Sequence, residues 1–111
     1  MGAFTLEDLA AVVAARSASS AEKSYTKSLL QGGPAKTAQK FGEEAVELVI
    51  AAMGQDQTAT IGEAADVLYH LMVLLRSRGV SFEAVLAELE RRSGRSGHDE
   101  KAARSGEREL G

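Results

Sequence analysis

The sequence contains no cysteine, a single proline and few aromatic residues. Without cysteine the chain can form no disulfide, present no thiol nucleophile and build no zinc–thiolate site, and this composition suits a reducing compartment. With one proline, 5% aromatic residues and frequent alanine, leucine, glutamate and arginine, local propensity favours helix over strand. We therefore predict an all-α protein whose chemistry depends on side chains other than cysteine.

The sequence also lacks a long run of positive charge and a long apolar run. Its formal net charge is -3, so broad electrostatic attraction to nucleic-acid phosphates is not expected. The N-terminal stretch MGAFTLEDLA has neither the basic region nor the apolar region of a signal peptide. No window reaches the roughly 20 uninterrupted apolar residues of a membrane span. We therefore expect a cytoplasmic protein with no nucleic-acid partner and no membrane partner.

The length and composition bound the number of domains. A chain of 111 residues suits one domain with a modest core, and 44% hydrophobic with 26% charged residues is ordinary for a globular protein. After Arg92 the composition changes to glycine and charged residues with little apolar content. We predict an all-α domain over residues 1–93 and a polar C-terminal tail over residues 94–111, flexible or conditionally ordered.

Apolar periodicity and helix-end signals predict four helices. Thr5 and Asp8 form an acidic variant of the capping box, Pro34 suits a first helical turn, and Ser81 suits an N-cap. The serine-rich segment before Pro34 is predicted to be a loop with at most one helical turn. The predicted helices span residues 6–16, 34–53, 61–78 and 82–92.

The third predicted helix is apolar on almost every side between Val67 and Leu75. A helix of that kind needs neighbours all around it, and four short helices can hardly supply them. We therefore expect it to be the most buried element and the chain to assemble as a homodimer or a larger homo-oligomer. Met53 and Met72 are expected to pack in the core.

Two pairs of acidic residues stand inside helices that otherwise look buried. Each pair has the spacing acid-x-x-acid, which places its members about 60° apart on one helix face. If the second and third helices form an antiparallel hairpin, the pairs converge, and such carboxylates must take up protons or bind a cation. Oxygen ligands favour Mg²⁺, or Mn²⁺, over zinc or copper. The alternative is that they are solvated surface residues. The four residues are Glu44, Glu47, Glu63 and Asp66.

Further polar residues surround these pairs in the sequence. Lys40 and Lys36 stand one and two helical turns before Glu44 and could bind phosphate, although Lys40 could also pair with Glu44 alone. His70, four residues after Asp66, is interpreted as a substrate contact or as support for a metal ligand, with a core histidine as the alternative; Tyr69 should point elsewhere. Possible nucleotide-binding donors in the preceding loop are Lys23, Ser24, Tyr25, Thr26 and Lys27.

The stretch KFGEEAVELVIAA followed by EAADVLYHLMVLL resembles phosphoribosyl-ATP pyrophosphohydrolase of histidine biosynthesis, a family of the all-α nucleotide pyrophosphohydrolases that include MazG-like proteins. The superfamily pattern is E-x-x-E, a spacer and E-x-x-D. The narrower resemblance includes FTLEDLAAVVAAR, SYTKSLL, GGPAKTAQKFGEEAVE, GVSFEAVLAELERR and SGHDEKAAR in the same order. It covers nearly the whole chain, and through SGHDEKAAR it implies that the tail has a function.

This resemblance implies a fold, a reaction and a set of site residues. The fold would be a four-helix MazG-like bundle whose second and third helices form a metal-binding hairpin. The reaction would be Mg²⁺-dependent hydrolysis of 1-(5-phosphoribosyl)-ATP to 1-(5-phosphoribosyl)-AMP and pyrophosphate by metal-activated water. The metal ligands would be Glu44, Glu47, Glu63 and Asp66, with Glu43 and Glu47 as catalytic residues. The substrate would contact Lys23, Tyr25, Thr26, Lys36, Lys40 and His70.

Three other functions fit parts of the sequence. A MazG-like or dUTPase-type hydrolase of other nucleoside triphosphates would use the same scaffold, and only the loop and tail motifs argue against it. A di-iron protein would need E-x-x-H on two helices, whereas the second predicted helix has no histidine. A purely structural oligomerisation module would tolerate loss of the acidic pairs. No cysteine or histidine cluster is present for the zinc chemistry of the companion cyclohydrolase, so we expect a stand-alone hydrolase.

Overall fold

The computed structural model describes residues 2–20, 24–54 and 56–94, which form five α-helices and no strand. The all-α prediction is therefore confirmed for these residues, while the predicted number of helices was one too low. The chain divides into two compact units, Met1–Val80 with the first four helices and Ser81–Gly111 with the fifth. The helices are α1 (Leu6–Ser17), α2 (Tyr25–Gln31), α3 (Gly33–Met53), α4 (Gln57–Ser77) and α5 (Phe82–Ser93). The predicted tail lies outside the described residues except for Gly94, so its boundary stays a prediction.

The helix that the sequence analysis missed is α2, which occupies the predicted loop. Its N-cap is Ser24, whose hydroxyl accepts a hydrogen bond from the Lys27 amide at 3.1 Å and donates one to the Arg16 carbonyl at 2.9 Å. The second bond ties the cap to the end of α1. Thr26 and Leu29 are buried on one side of this seven-residue helix. Because so short a helix is marginal in isolation, tertiary contacts account for its stability.

Helices α3 and α4 form the antiparallel hairpin expected from the sequence. Gly33 has a φ of 83°, which favours glycine, and Pro34 then begins the regular part of α3. Asp56 caps α4 by accepting a hydrogen bond from the Ala59 amide at 3.0 Å, so α4 begins four residues before the predicted Ile61. Near the open end of the hairpin the hydroxyls of Thr37 and Ser77 are hydrogen bonded at 2.9 Å.

The core of the first unit is small and leaves an apolar surface exposed. Among the described residues, α4 contributes three buried side chains, more than any other helix, but only 17% of its apolar window is buried, so the expected burial on all sides is not seen within one chain. By contrast, Met53 is 78% exposed, so its predicted place in the core was wrong. It belongs to an apolar stripe of residues spaced three and four apart along α3. The apolar stripe consists of Val46, Val49, Ile50 and Met53, which are 58%, 61%, 65% and 78% exposed.

Helix α4 is long and apolar enough to cross a membrane by length and composition alone. A mostly buried core helix of a soluble protein satisfies the same criteria, whereas 17% of the apolar window of α4 is buried here. Two features favour that second interpretation: α4 packs along α3, and it carries Glu63 and Asp66 within its length. Carboxylates in such positions are costly in lipid and are readily accommodated against a partner helix in water.

Candidate metal centre

Four carboxylates converge midway along the α3–α4 hairpin. One oxygen from each of Glu44, Glu63 and Asp66 lies within 4.8 Å of the other two. Glu47 adjoins them, since its carboxylate raises the pKa of both Glu44 and Glu63. The structure therefore brings together the four residues that the acid-x-x-acid spacing selected, and we call them the carboxylate cluster. The acidic pair on α3 and the acidic pair on α4 meet because the two helices present them at the same level along the hairpin.

Electrostatics within the carboxylate cluster favour a bound cation. Partial burial raises the pKa of Glu44, and Glu47 and Asp66 raise it further, while His70 opposes them. Partial burial also raises the pKa of Glu63, with added contributions from Glu47, Asp66 and Glu44. Glu63 Oε2 is buried and has no hydrogen-bond partner within the described part of the chain.

None of the four carboxylates forms a salt bridge with another described residue. No lysine or arginine in residues 2–20, 24–54 or 56–94 therefore neutralises their negative charge through an ion pair. A divalent cation with a preference for oxygen ligands would neutralise it and would satisfy the unpaired Glu63 oxygen. The donor set consequently fits Mg²⁺ or Mn²⁺.

Glu43 and the two lysines lie beside the carboxylate cluster on α3. Glu43 Oε1 accepts from Gln39 Nε2 at 3.1 Å, and Oε2 pairs with Lys40 Nζ at 3.2 Å. Lys40 is therefore paired with Glu43. The alternative interpretation had expected an ion pair between Lys40 and Glu44. These hydrogen bonds from Gln39 and Lys40 lower the pKa of Glu43, and Lys36 lowers it further. The structure does not bring Glu43 into the three-oxygen group, and its role as a base stays a prediction.

The predicted nucleotide-binding residues of α2 occupy different environments. Thr26 is fully buried, and its hydroxyl is hydrogen bonded to the Tyr69 hydroxyl, so it is an interior contact. Tyr25 is 54% exposed and its ring lies nearly parallel to that of Tyr69, with ring centroids 6.4 Å apart and planes inclined by 14°. Lys23 lies outside the described residues. Between Tyr25 and Thr26, the two of these contacts that the structure describes, Tyr25 is the accessible one.

His70 connects these aromatic rings to the carboxylate cluster. Its ring is only 6% exposed, and Nδ1 lies 2.8 Å from the Asp66 carbonyl oxygen. The ring stands edge-on to Tyr69, with centroids 5.1 Å apart, and to Tyr25, with centroids 6.1 Å apart. Tyr69 therefore packs against His70 beside the carboxylate cluster. The sequence analysis missed this role, because it expected Tyr69 to point elsewhere. Its spacing of three residues from Asp66, the same as that between Glu63 and Asp66, was the available signal.

Comparison with known proteins gives a consistent set of matches. The family model described as phosphoribosyl-ATP pyrophosphohydrolase matches residues 6–93, which include the whole carboxylate cluster. A protein of Rhodopseudomonas palustris named phosphoribosyl-ATP pyrophosphatase 1 is 59% identical over 104 residues, covering 94% of this chain and 97% of the relative. A phosphoribosyl-ATP pyrophosphatase of Methylobacterium radiotolerans is 60% identical with the same coverage. One of Azorhizobium caulinodans is 57% identical over 100 residues, covering 90% and 92%.

Proposed function

The chain belongs to the phosphoribosyl-ATP pyrophosphohydrolase family, and we propose that it hydrolyses 1-(5-phosphoribosyl)-ATP to 1-(5-phosphoribosyl)-AMP and pyrophosphate. This reaction is the second step of L-histidine biosynthesis. The observation that carries the proposal is the convergence of Glu44, Glu63 and Asp66, with Glu47 interacting with them and with no ion pair to any described cationic side chain, within the region that the family model matches. A biosynthetic hydrolase of this kind would act in the cytoplasm.

The carboxylate cluster would hold Mg²⁺, with Mn²⁺ as a possible substitute. Glu44, Glu63 and Asp66 offer oxygens close enough to share one cation, and Glu47 stands beside them. When bound, Mg²⁺ would neutralise phosphate oxygens of the substrate and lower the pKa of a water molecule. The protein's own contribution is to hold these oxygens in place before the substrate arrives, so that little reorganisation is needed during the reaction.

Residues around the carboxylate cluster would then position the triphosphate and receive a proton. Lys40 and Lys36 present ammonium groups on the adjacent turns of α3, where they would stabilise the charge that develops as the α–β phosphoanhydride breaks. Glu47 is exposed at the edge of the cluster and is our candidate to accept the proton of the attacking water. Glu43, whose pKa is lowered, is a weaker base and would hold Lys40 in position.

We further propose that the chain forms a homodimer or a larger homo-oligomer. The apolar stripe lies on the side of α3 opposite to Glu44 and Leu48, because its members are about half a turn away from them. Ile61 on α4 is also 67% exposed. A second copy of the chain would cover this apolar area, which borders the carboxylate cluster at Glu47, three residues before Ile50 on α3.

A substrate panel tests the proposed reaction. Purified full-length protein with Mg²⁺ is given phosphoribosyl-ATP, ATP, dUTP and dCTP separately, and the release of pyrophosphate is measured. We expect kcat/KM for phosphoribosyl-ATP to exceed that for each common triphosphate by at least about 100-fold, because a site built for extra polar groups rejects analogues that lack them. Preference for a common triphosphate would instead support the MazG-like alternative. A strain without the gene should require histidine for growth.

A further inference from the structure

Three aromatic side chains form a niche beside the carboxylate cluster. The aromatic niche consists of Tyr25 on α2 and of Tyr69 and His70 on α4. The two tyrosine rings are nearly parallel, and the imidazole stands edge-on to both. Tyr25 is 54% exposed, whereas an aromatic residue that served only the core would be covered. The niche therefore offers a planar apolar surface to a ligand.

The second feature of the aromatic niche is an unused hydrogen-bond acceptor. The Asp66 carbonyl oxygen can only accept, so His70 Nδ1 carries the proton of their 2.8 Å hydrogen bond. In the neutral ring Nε2 then presents a lone pair. Nε2 is buried and has no hydrogen-bond partner among the described residues. Because buried polar atoms are usually paired, this one points to a donor that the ligand supplies.

The aromatic niche also lies next to the groups that would handle the triphosphate. His70 is hydrogen bonded to the backbone carbonyl of Asp66, a member of the carboxylate cluster. Lys40, one helical turn before Glu44, has its pKa raised mainly by Glu43 and to a smaller extent by Tyr25, so the exposed tyrosine interacts electrostatically with a lysine proposed to bind phosphate. A ligand with its polyphosphate at the carboxylate cluster would therefore have its nucleoside within reach of Tyr25.

We propose that the aromatic niche binds the purine ring of the substrate, with the exposed ring of Tyr25 stacking on the base and His70 Nε2 accepting a hydrogen bond from an N–H group of the purine. This inference rests on the proposed function and adds to it the residues that select a purine nucleotide. Tyr69 would act by positioning, since its hydroxyl is held by Thr26 and its ring supports His70. Stacking on Tyr25 would accept any base, whereas the hydrogen bond to His70 Nε2 would favour a purine that carries a suitably placed N–H group.

Substitution of Tyr25 tests the stacking contact. We expect Tyr25→Leu to raise KM for phosphoribosyl-ATP and the inhibition constant of AMP by about 10-fold to 100-fold, with kcat changed much less. Inhibition by inorganic tripolyphosphate, which has no base, should stay within about twofold. Tyr25→Phe keeps the ring and should recover most of the lost affinity. Phe4→Leu is the matched control, because Phe4 is 70% exposed in the same unit and outside the niche.

Substitution of His70 tests the hydrogen bond. His70→Phe keeps a planar ring but removes the acceptor, and His70→Gln offers an amide oxygen in its place. We expect the phenylalanine variant to raise KM for phosphoribosyl-ATP by about 10-fold and the glutamine variant to do so less. Circular dichroism shows whether these buried substitutions fold, and if they do not, the Tyr25 variants decide.

Two results would overturn the niche. One is an unchanged KM and an unchanged AMP inhibition in Tyr25→Leu, and the other is equal weakening of AMP and tripolyphosphate, which would mean that Tyr25 serves the phosphates. Failure of the proposed function is recognised separately, because the wild-type protein would then not hydrolyse phosphoribosyl-ATP. In that case calorimetric binding of AMP to wild type and to Tyr25→Leu would still test the niche directly.

Discussion

Replacement of Glu44 by glutamine should stabilise the metal-free protein and abolish its response to Mg²⁺. Glutamine has nearly the same shape as glutamate but no charge, so Glu44→Gln removes repulsion within the carboxylate cluster and weakens its hold on a cation. Partial burial, followed by the neighbouring carboxylates Glu47 and Asp66, raises the pKa of Glu44 above its usual range. The stability that this group contributes is thus fully present below its unfolded pKa of about 4.5 and is lost as the pH rises through the raised folded value.

The size of the effect follows from the separation of the oxygens. Two unit charges 4.8 Å apart repel by about 0.9 kcal/mol at the dielectric constant of water and by about 3.5 kcal/mol at an effective dielectric constant of about 20. Since Glu44 and Asp66 are partly or largely exposed, we take the lower figure for this pair. About 1 kcal/mol corresponds to an increase of about 4 °C in Tm for a domain of this size. Bound Mg²⁺ at 100 times its Kd stabilises the wild type by about 2.7 kcal/mol, or about 10 °C.

Thermal melts followed by circular dichroism at pH 8 test both effects. In EDTA, Glu44→Gln should melt about 4 °C above the wild type, and in excess Mg²⁺ the order should reverse. The matched control is Glu90→Gln, which makes the same change of charge on an exposed residue of α5 and should shift both melts by less than about 2 °C. The reasoning is refuted if the variant is no more stable than wild type in EDTA, or if Mg²⁺ stabilises both proteins equally.

Three further substitutions test other parts of the molecule. Glu47→Gln should reduce kcat by at least about 100-fold while the helical circular dichroism spectrum is retained, whereas a structural module would keep its function. Ile50→Glu, at a position 65% exposed, should convert the assembly to monomers in analytical ultracentrifugation, and Ala11→Glu on α1 should not. The pKa of Glu88 is lowered to about 2 by its two arginine partners, so its contribution to stability is present above pH 4.5 and lost as the pH falls toward 2. Acid titration of Glu88→Gln should accordingly show a smaller loss of helix in that range.

The sequence predicted the long helices well because their signals are local. The start of α3 is marked by Pro34 and that of α1 by Thr5, whose capping box with Asp8 is present at 3.0 and 2.9 Å. Helix α2 escaped prediction because its stability comes from distant residues, such as the contact of Thr26 with Tyr69, 43 positions away. A pattern within seven residues cannot reveal such a contact.

The carboxylate cluster could be predicted from the sequence, whereas the aromatic niche could not, because only acidic residues are unusual on an apolar helix face. Acidic residues three apart on an apolar face are conspicuous in one dimension, since their burial would otherwise be unexplained. Tyr69 is ordinary at a helix position and gains its role only through the rings of Tyr25 and His70 around it. Glu43 shows the converse limit: it resembles its neighbours in sequence, yet its carboxylate pairs with Lys40 and is not in the three-oxygen group.

The aromatic niche is largely organised before a ligand arrives. Tyr69 is fixed by its hydrogen bond to Thr26, and His70 by its hydrogen bond to the Asp66 carbonyl, so neither ring has to be ordered by the substrate. Tyr25 is more than half exposed and is the one niche residue left to immobilise, at a cost of about 0.5–1.5 kcal/mol. Stacking on a base typically contributes more than that. If Tyr69 lost its hydrogen bond to Thr26, its ring would also have to be ordered on binding, so Thr26→Val should weaken AMP binding although Thr26 is buried and cannot touch the nucleotide.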